Sequence, residues 1–343
     1  MRAVGYQFSL PYSNPQALQD IDIPLPSCGE NDVLIRVEGI GLNPVDTKIR
    51  QRKETADGSF IVLGWDAAGT VVARGSRVTQ IAVGDAVWYA GAVNRDGCNA
   101  EFQAVDARLI SKRPRTLSAA DAAAMPLTFL TAWELLFERL SIDEHAPNVL
   151  LITGAAGGVG SALIQLAKAL TQTTVIATAS RDETIRWVKQ LGADVVVNHH
   201  ETLLPQLSHF GLSSVTHVAS LTHTEQHFEQ LVELLEPQGR FALIDDPQEP
   251  LPINLMKQKS LSLHWEFMFT RSLFSTQDMH RQGEILASVA QLVDAGKIRS
   301  TRFKNLGLIS ADTLRQAHGI LETHQAIGKL VVDGYADVHT DGS

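Results

Sequence analysis

Only two cysteines, Cys28 and Cys98, occur in the 343 residues. That excludes a disulfide framework and a four-cysteine zinc site within one chain. No apolar run approaches the roughly 20 residues that span a bilayer. The opening segment has no apolar stretch of signal-peptide length either, so no membrane partner is expected and a cytoplasmic location is. Blocks of Lys and Arg are missing: 29 basic residues stand against 38 acidic ones, for a net charge of −9. Nucleic acid is therefore not an expected partner. No Gly-x-Ser-x-Gly elbow occurs, which argues against a serine hydrolase. Internal repeats and low-complexity tracts are also lacking.

What is present is a soluble balance, 44% apolar and 20% charged, over a length suited to two domains. Residues 1–110 read as β-rich. Short alternating, β-branched runs at 33–40, 69–73 and 85–89 are separated by turn signals such as Gly75-Ser76, Gly84-Asp85 and Asp96-Gly97. Ser118-Ala119-Ala120-Asp121 has the spacing of a capped helix start, and helical periodicity continues over 131–140. Strands at 149–152, 174–178, 195–197, 215–219 and 241–244 then alternate with helices, among them 161–170 and 183–191. Such alternation predicts a doubly wound parallel sheet. An alternating strand is expected over 261–269 and an amphipathic helix over about 276–295. Because a βαβ block is inserted between β-rich ends, the two ends are expected to form one domain.

The chemistry-bearing motif follows strand 149–152 directly. Thr153-Gly154-Ala155-Ala156-Gly157-Gly158-Val159-Gly160-Ser161 lies between a buried strand and a helix, the context that gives a glycine triplet its meaning. Gly157 lets the backbone approach a pyrophosphate, Gly160 lets the helix pack on the strand, and the helix N-terminus offers unpaired N–H groups. Gly154, Ala155, Gly157, Gly158, Val159 and Gly160 are the expected cofactor loop. A glycine turn of another open α/β fold is the alternative. An NAD site calls for a carboxylate about 20 residues on. Here that place holds Ser180, followed by Arg181, a hydroxyl and a guanidinium that suit a 2′-phosphate. NADPH is favoured over NADH, although Arg181 also reads as a solvated helix-start residue.

Over residues 1–333 the chain resembles the medium-chain dehydrogenase/reductase superfamily, its quinone oxidoreductase branch, and within it the zinc-type alcohol dehydrogenase-like proteins. The motifs carrying the resemblance are Asn43-Pro44-Val45-Asp46-Thr47-Lys48, Gly64-Trp65-Asp66-Ala67-Ala68-Gly69, Val83-Gly84-Asp85, Pro126-Leu127-Thr128 through Thr131-Ala132-Trp133, the glycine turn, Leu191-Gly192-Ala193-Asp194, and Gly328-Lys329-Leu330-Val331-Val332. The resemblance implies an α/β chain with a GroES-like β-rich catalytic domain, 1–122 with 297–343, and a Rossmann domain over 123–296. It also implies a substrate cleft between the domains and a homodimer paired near the edge strand 261–269.

Zinc-dependent relatives carry Cys in the first of these motifs and His-Glu in the second. The matching residues here are Asn43, Trp65 and Asp66, of which only Asp66 is a plausible zinc ligand; no zinc is expected. His223 and His227, four apart, have no evident third ligand and read as surface histidines, and Asp245-Asp246 as a turn or cap feature. By resemblance, Asn43 orients a substrate oxygen, Thr131 lies beside the nicotinamide, and Lys48 replaces a tyrosine often found there. Asn43 could equally serve its own loop, Thr131 its own helix, and Lys48 the surface. Lys329 is assigned to the cofactor, and Trp65, Phe267 and Phe269 to the substrate. The expected activity is hydride transfer from NADPH to a quinone or an α,β-unsaturated carbonyl. A zinc-dependent alcohol dehydrogenase and a cofactor-binding protein without turnover are the alternatives.

Overall fold

The computed structural model describes residues 1–336. It divides into two compact units, Met1–Leu127 together with the chain from Phe269 onward, and Thr128–Met268. The first unit is built on antiparallel pairing. Strand Asp32–Gly41, with seven of its ten residues buried, pairs with Ala67–Arg74, Phe102–Asp106 and Lys329–Asp333. The sheet continues through Ala86–Tyr89 to Ile110–Lys112 on one side and to Arg302–Leu308 on the other. Arg2–Tyr6 forms a smaller sheet with Gln19–Asp22 and Ile61–Val62. The two ends of the chain thus do share one unit, because residues 329–333 complete a sheet begun at 32–41.

The boundaries of this unit fall at Leu127 and Phe269. The helix expected over 276–295 runs Arg281–Asp294 and belongs to the first unit. A Cβ at Gly283 would come within 2.8 Å of the Arg108 and Ile110 carbonyl oxygens. This closeness packs the helix against strand Ile110–Lys112.

The second unit holds six strands, all parallel, in the spatial order Val195–Val197, Thr174–Thr178, Val149–Ile152, Val215–Ser220, Leu235–Leu243, Ser262–Trp265. The chain winds outward from 149–152 in one direction and then returns to its other side at 215–220. The point where the winding reverses lies between those two strands, the place where open parallel sheets bind ligands. Three strands match the sequence reading residue for residue: 149–152, 174–178 and 195–197.

Two elements of this unit differ from expectation. The strand expected over 261–269 ends at Trp265, because its partner Leu235–Leu243 ends opposite it, with Leu243 paired to Trp265. The helix expected over 131–140 begins at Pro126 and widens after Trp133 into a π-helical turn, Glu134–Arg139. The turn is held from inside: Arg139 Nε donates to the buried Glu266 carboxylate at 2.7 Å. Burial pushes Glu266 above the usual carboxylate range, opposed by a hydrogen bond with Glu134 and by the Arg139 charge. No helix among the described residues is long and apolar enough to cross a membrane.

A buried histidine gives the first unit an acid limit. Arg50, fully buried, donates from Nε to His318 Nδ1 at 3.1 Å and also bonds Leu10 O and Glu322. Burial, then the Arg50 charge, pulls His318 down to about 3. Held neutral in the fold, His318 takes up its proton only after unfolding, so stability is lost as pH falls from about 6.5 toward 3, by about 1.4 kcal/mol per unit. His318→Gln should therefore flatten the drop in melting temperature between pH 6 and 4. An unchanged acid limb would exclude His318 as its source.

Candidate functional site

In the second unit the glycine turn stands at the reversal point of the sheet. Gly154 has φ +62°, a left-handed conformation that favours glycine. A Cβ at Gly160 would lie 2.5 Å from the Ala155 Cα and O, so the start of helix Gly158–Leu170 packs directly on the turn. Gly157 differs: it caps the helix at φ −73°, and the nearest atom to an added Cβ would be Gly154 O at 3.4 Å. Gly160 thus packs the helix start on the turn, and Gly157 leaves open space beside it.

Beneath the turn lies a chain of hydroxyls that sequence reading missed. Thr153 Oγ1 accepts from Leu221 N at 3.1 Å and lies 3.4 Å from Ser220 Oγ, which in turn lies 2.7 Å from Thr224 Oγ1. Asp245 accepts from Thr224 N at 2.9 Å and from its hydroxyl, so it caps helix Thr224–Leu234 as expected for a cap residue. Each hydroxyl is isolated in sequence; the shared signal is its place at the end of a parallel strand or the start of the next helix.

Ser180, half-buried, and Arg181, exposed, follow strand Thr174–Thr178, which neighbours the turn's strand in parallel register, Ile176 opposite Leu151. Arg181 caps helix Asp182–Gln190. Thr131 is buried in helix Pro126–Trp133. His223 precedes its helix in a left-handed conformation, so it and His227 do not share one helical face. His227 instead approaches His199, the ring centroids 6.1 Å apart. Burial and the neighbouring histidines hold both His199 and His227 below the ordinary imidazole range.

The first unit holds a second polar group of residues, almost completely enclosed. Asn43 caps helix Pro44–Arg52, and its backbone N–H donates to Asp46 Oδ2 at 2.7 Å. Asp66 lies one residue before strand Ala67–Arg74, with Oδ1 accepting from Leu127 N at 3.2 Å. Lys329 opens its strand 3% exposed, and its ammonium donates to Asn43 Oδ1 at 2.5 Å and to Asp66 Oδ2 at 2.8 Å. Asn43 Nδ2 donates to the same Asp66 oxygen at 3.2 Å. Both acceptors of the Lys329 ammonium lie inside the first unit.

The positions matched to zinc ligands do not form a zinc donor set. Asn43 and Asp66 both face an ammonium, and the Trp65 indole N–H donates to Ala92 O at 3.0 Å. Zinc takes thiolate, imidazole and carboxylate. No group of three or more His, Cys, Asp or Glu side chains among the described residues is placed to hold a metal ion. Beside Trp65 opens a cavity of about 500 Å³, walled by Trp65, Phe60, Ile61 and Val93, with Lys53 and Asn94 among its polar lining. Lys48 lies half-buried on helix Pro44–Arg52. Phe267 is exposed, whereas Phe269 is buried, and neither is in a strand.

Two carboxylates and one ammonium leave this group short of positive charge. Burial pushes Asp46 up to about 7, helped by the Asp66 charge and opposed by the Asn43 N–H, the Lys329 charge and the Gly64 N–H. Burial also raises Asp66, against the pull of Lys329, Asn43 and the Leu127 N–H. Three donors aim at the two Asp66 oxygens and favour its ionised form against that burial. Asp46 holds its proton in the fold and loses it on unfolding, so its contribution is full below about pH 3.8 and is lost as pH rises through 7. Asp46→Asn mimics the protonated form. Its melting temperature relative to the parent should rise from pH 4 to 7 and level off above, following roughly 1 kcal/mol per unit. A difference independent of pH would show that Asp46 does not titrate there.

Comparison with known proteins finds two domain families along the chain. The alcohol dehydrogenase GroES-like domain model matches residues 29–115, and the zinc-binding dehydrogenase model matches residues 158–285. A zinc-type alcohol dehydrogenase-like protein of Staphylococcus epidermidis is 36% identical over 337 residues, covering 97% of this chain and 99% of its own. A 2-methylene-furan-3-one reductase of Solanum lycopersicum is 29% identical, covering 91% of this chain and 74% of its own. Among solved structures, a provisionally assigned zinc-dependent alcohol dehydrogenase protein from Rhizobium etli CFN 42 superposes with a TM-score of 0.95 at 45% identity, covering 98% of this chain and 99% of its own. With both domains matched and near full-length relatives on either side, the chain belongs to the medium-chain dehydrogenase/reductase family of oxidoreductases, among its zinc-type alcohol dehydrogenase-like proteins.

Proposed function

We propose that this protein uses NADPH to reduce an α,β-unsaturated carbonyl or a quinone, and that it does so without zinc. The observation that carries the reading is the occupied metal-ligand position: Asn43 and Asp66 answer to Lys329, which leaves hydride transfer to proceed without a Lewis acid at these residues. The glycine turn, open at Gly157, supports a dinucleotide, and Ser180 with Arg181 at the neighbouring strand end supports the 2′-phosphate. The tomato relative, a reductase of an enone by its name, supports the substrate class. NADPH supplies the hydride when bound.

The chain's own residues bind and orient. The cavity beside Trp65 has the volume and mixed lining of a small-molecule site. Asn43, 1% exposed with its amide committed on both sides, acts as a positioning residue for the loop it caps. Thr131 at the nicotinamide, Lys48 as a proton source and Phe267 at the substrate remain part of the proposal by resemblance. A homodimer formed along Ser262–Trp265 is a further part; the strand is the sheet's edge and Trp265 is 55% exposed.

The direct test is oxidation of NADPH over a panel of enones and quinones, with and without EDTA. Turnover unaffected by EDTA is expected. Loss of turnover on chelation, or tight NADPH binding with no oxidation across the panel, would overturn the reading. Arg181→Ala should raise the KM for NADPH about 10- to 100-fold, the worth of a charge-assisted phosphate contact, and leave that for NADH nearly unchanged. Equal effects on the two cofactors would remove Arg181 from the 2′-phosphate.

A further inference from the structure

Residues 43 and 66 reach one ammonium because of strand register. Strand Lys329–Asp333 runs antiparallel to Asp32–Gly41 with Val331 opposite Gly41. Continued two residues along each chain, that register brings Lys329 level with Asn43. Leu42 N donates to Leu330 O at 3.0 Å and ties the approach down. Both oxygens of Asp66 and the side-chain oxygen of Asn43 then accept from donors within the same unit. A divalent cation would need these same lone pairs, and it would sit against a like charge.

Further polar side chains are buried around Asp66. Asp46 is fully buried, and its Oδ1 has no hydrogen-bond partner among the described residues. The Cys98 thiol, also buried, lies with its Sγ 3.8 Å from the Asp66 carbonyl oxygen. Next to it, Asn99 is buried with both amide atoms unpartnered. The ammonium itself is held by one carboxylate and one amide oxygen, those of Asp66 and Asn43.

We propose that Lys329 is a built-in cation that closes this site to divalent metal. Its ammonium neutralises Asp66, engages Asn43, and fills the position between them that an ion would take. The proposal deepens the metal-independent reading above. Its test reads metal binding and not turnover, so either can fail while the other stands.

Equilibrium dialysis against cobalt(II), with the absorption spectrum of the bound ion, separates the outcomes. The parent protein should bind no cobalt at this site. Lys329→Ala should bind one equivalent, at least about 100-fold more tightly than any residual binding by the parent, and adding Asp66→Asn should abolish that gain. Equal affinity of the parent and Lys329→Ala would overturn the proposal, as would binding that survives Asp66→Asn. If Lys329→Ala does not fold, the parent still decides the question. The side-chain ammonium resonance of Lys329, in protein labelled with nitrogen-15 at lysine, should stay unshifted as zinc is added. Its shift or loss in step with zinc would show that metal displaces the ammonium.

Discussion

Gly157→Ala should leave the fold intact and weaken NADPH binding by about two orders of magnitude, close to 2.7 kcal/mol. The structure gives the added methyl room, with nothing nearer than Gly154 O at 3.4 Å and an ordinary backbone conformation at φ −73°. The space it fills is the space through which a pyrophosphate approaches the helix N-terminus. Gly160→Val is the contrasting case. Its Cβ would meet the Ala155 backbone at 2.5 Å, where no flexible side chain can yield, so about 3 kcal/mol of stability should go together with binding. Fluorescence titration with NADPH and thermal unfolding distinguish the two. Unimpaired binding by Gly157→Ala would place the dinucleotide elsewhere.

Lys329→Met should destabilise the first unit by about 3–5 kcal/mol, because it leaves the Asp66 carboxylate buried and without its counter-charge. Adding Asp66→Asn should recover most of the loss. The amide oxygen still accepts from the Leu127 N–H, and no net charge remains to be desolvated. Urea unfolding of the parent, both single variants and the double variant gives the coupling directly. A cost below about 1 kcal/mol for Lys329→Met is the size expected of an exposed pair and would mean that the two charges are not buried together in solution.

How legible each part was in the sequence depended on how local its cause is. The strands at 149–152, 174–178 and 195–197 were legible to the residue, since each is a short apolar run buried on both faces and bounded by turn signals. The close packing at Gly160 was legible because a turn between a strand and a helix constrains only its own few residues. The strand at 261–269 was overextended. Its alternation continues past Trp265, but the partner strand does not, and pairing needs both. The helix at 281–294 was legible as amphipathic, but amphipathicity shows that a face is buried and not what buries it.

The sequence by itself determined the doubly wound sheet, the glycine turn at its centre, and the absence of cysteine and histidine at the positions matched to zinc ligands. Tertiary structure alone decided what stands there instead. Lys329 and Asn43 are 286 residues apart, and they meet only because residues 329–333 add to the strand begun at Asp32 in one particular antiparallel register. Periodicity reports a residue's own element, whereas register is a property of two chain segments brought together by the fold.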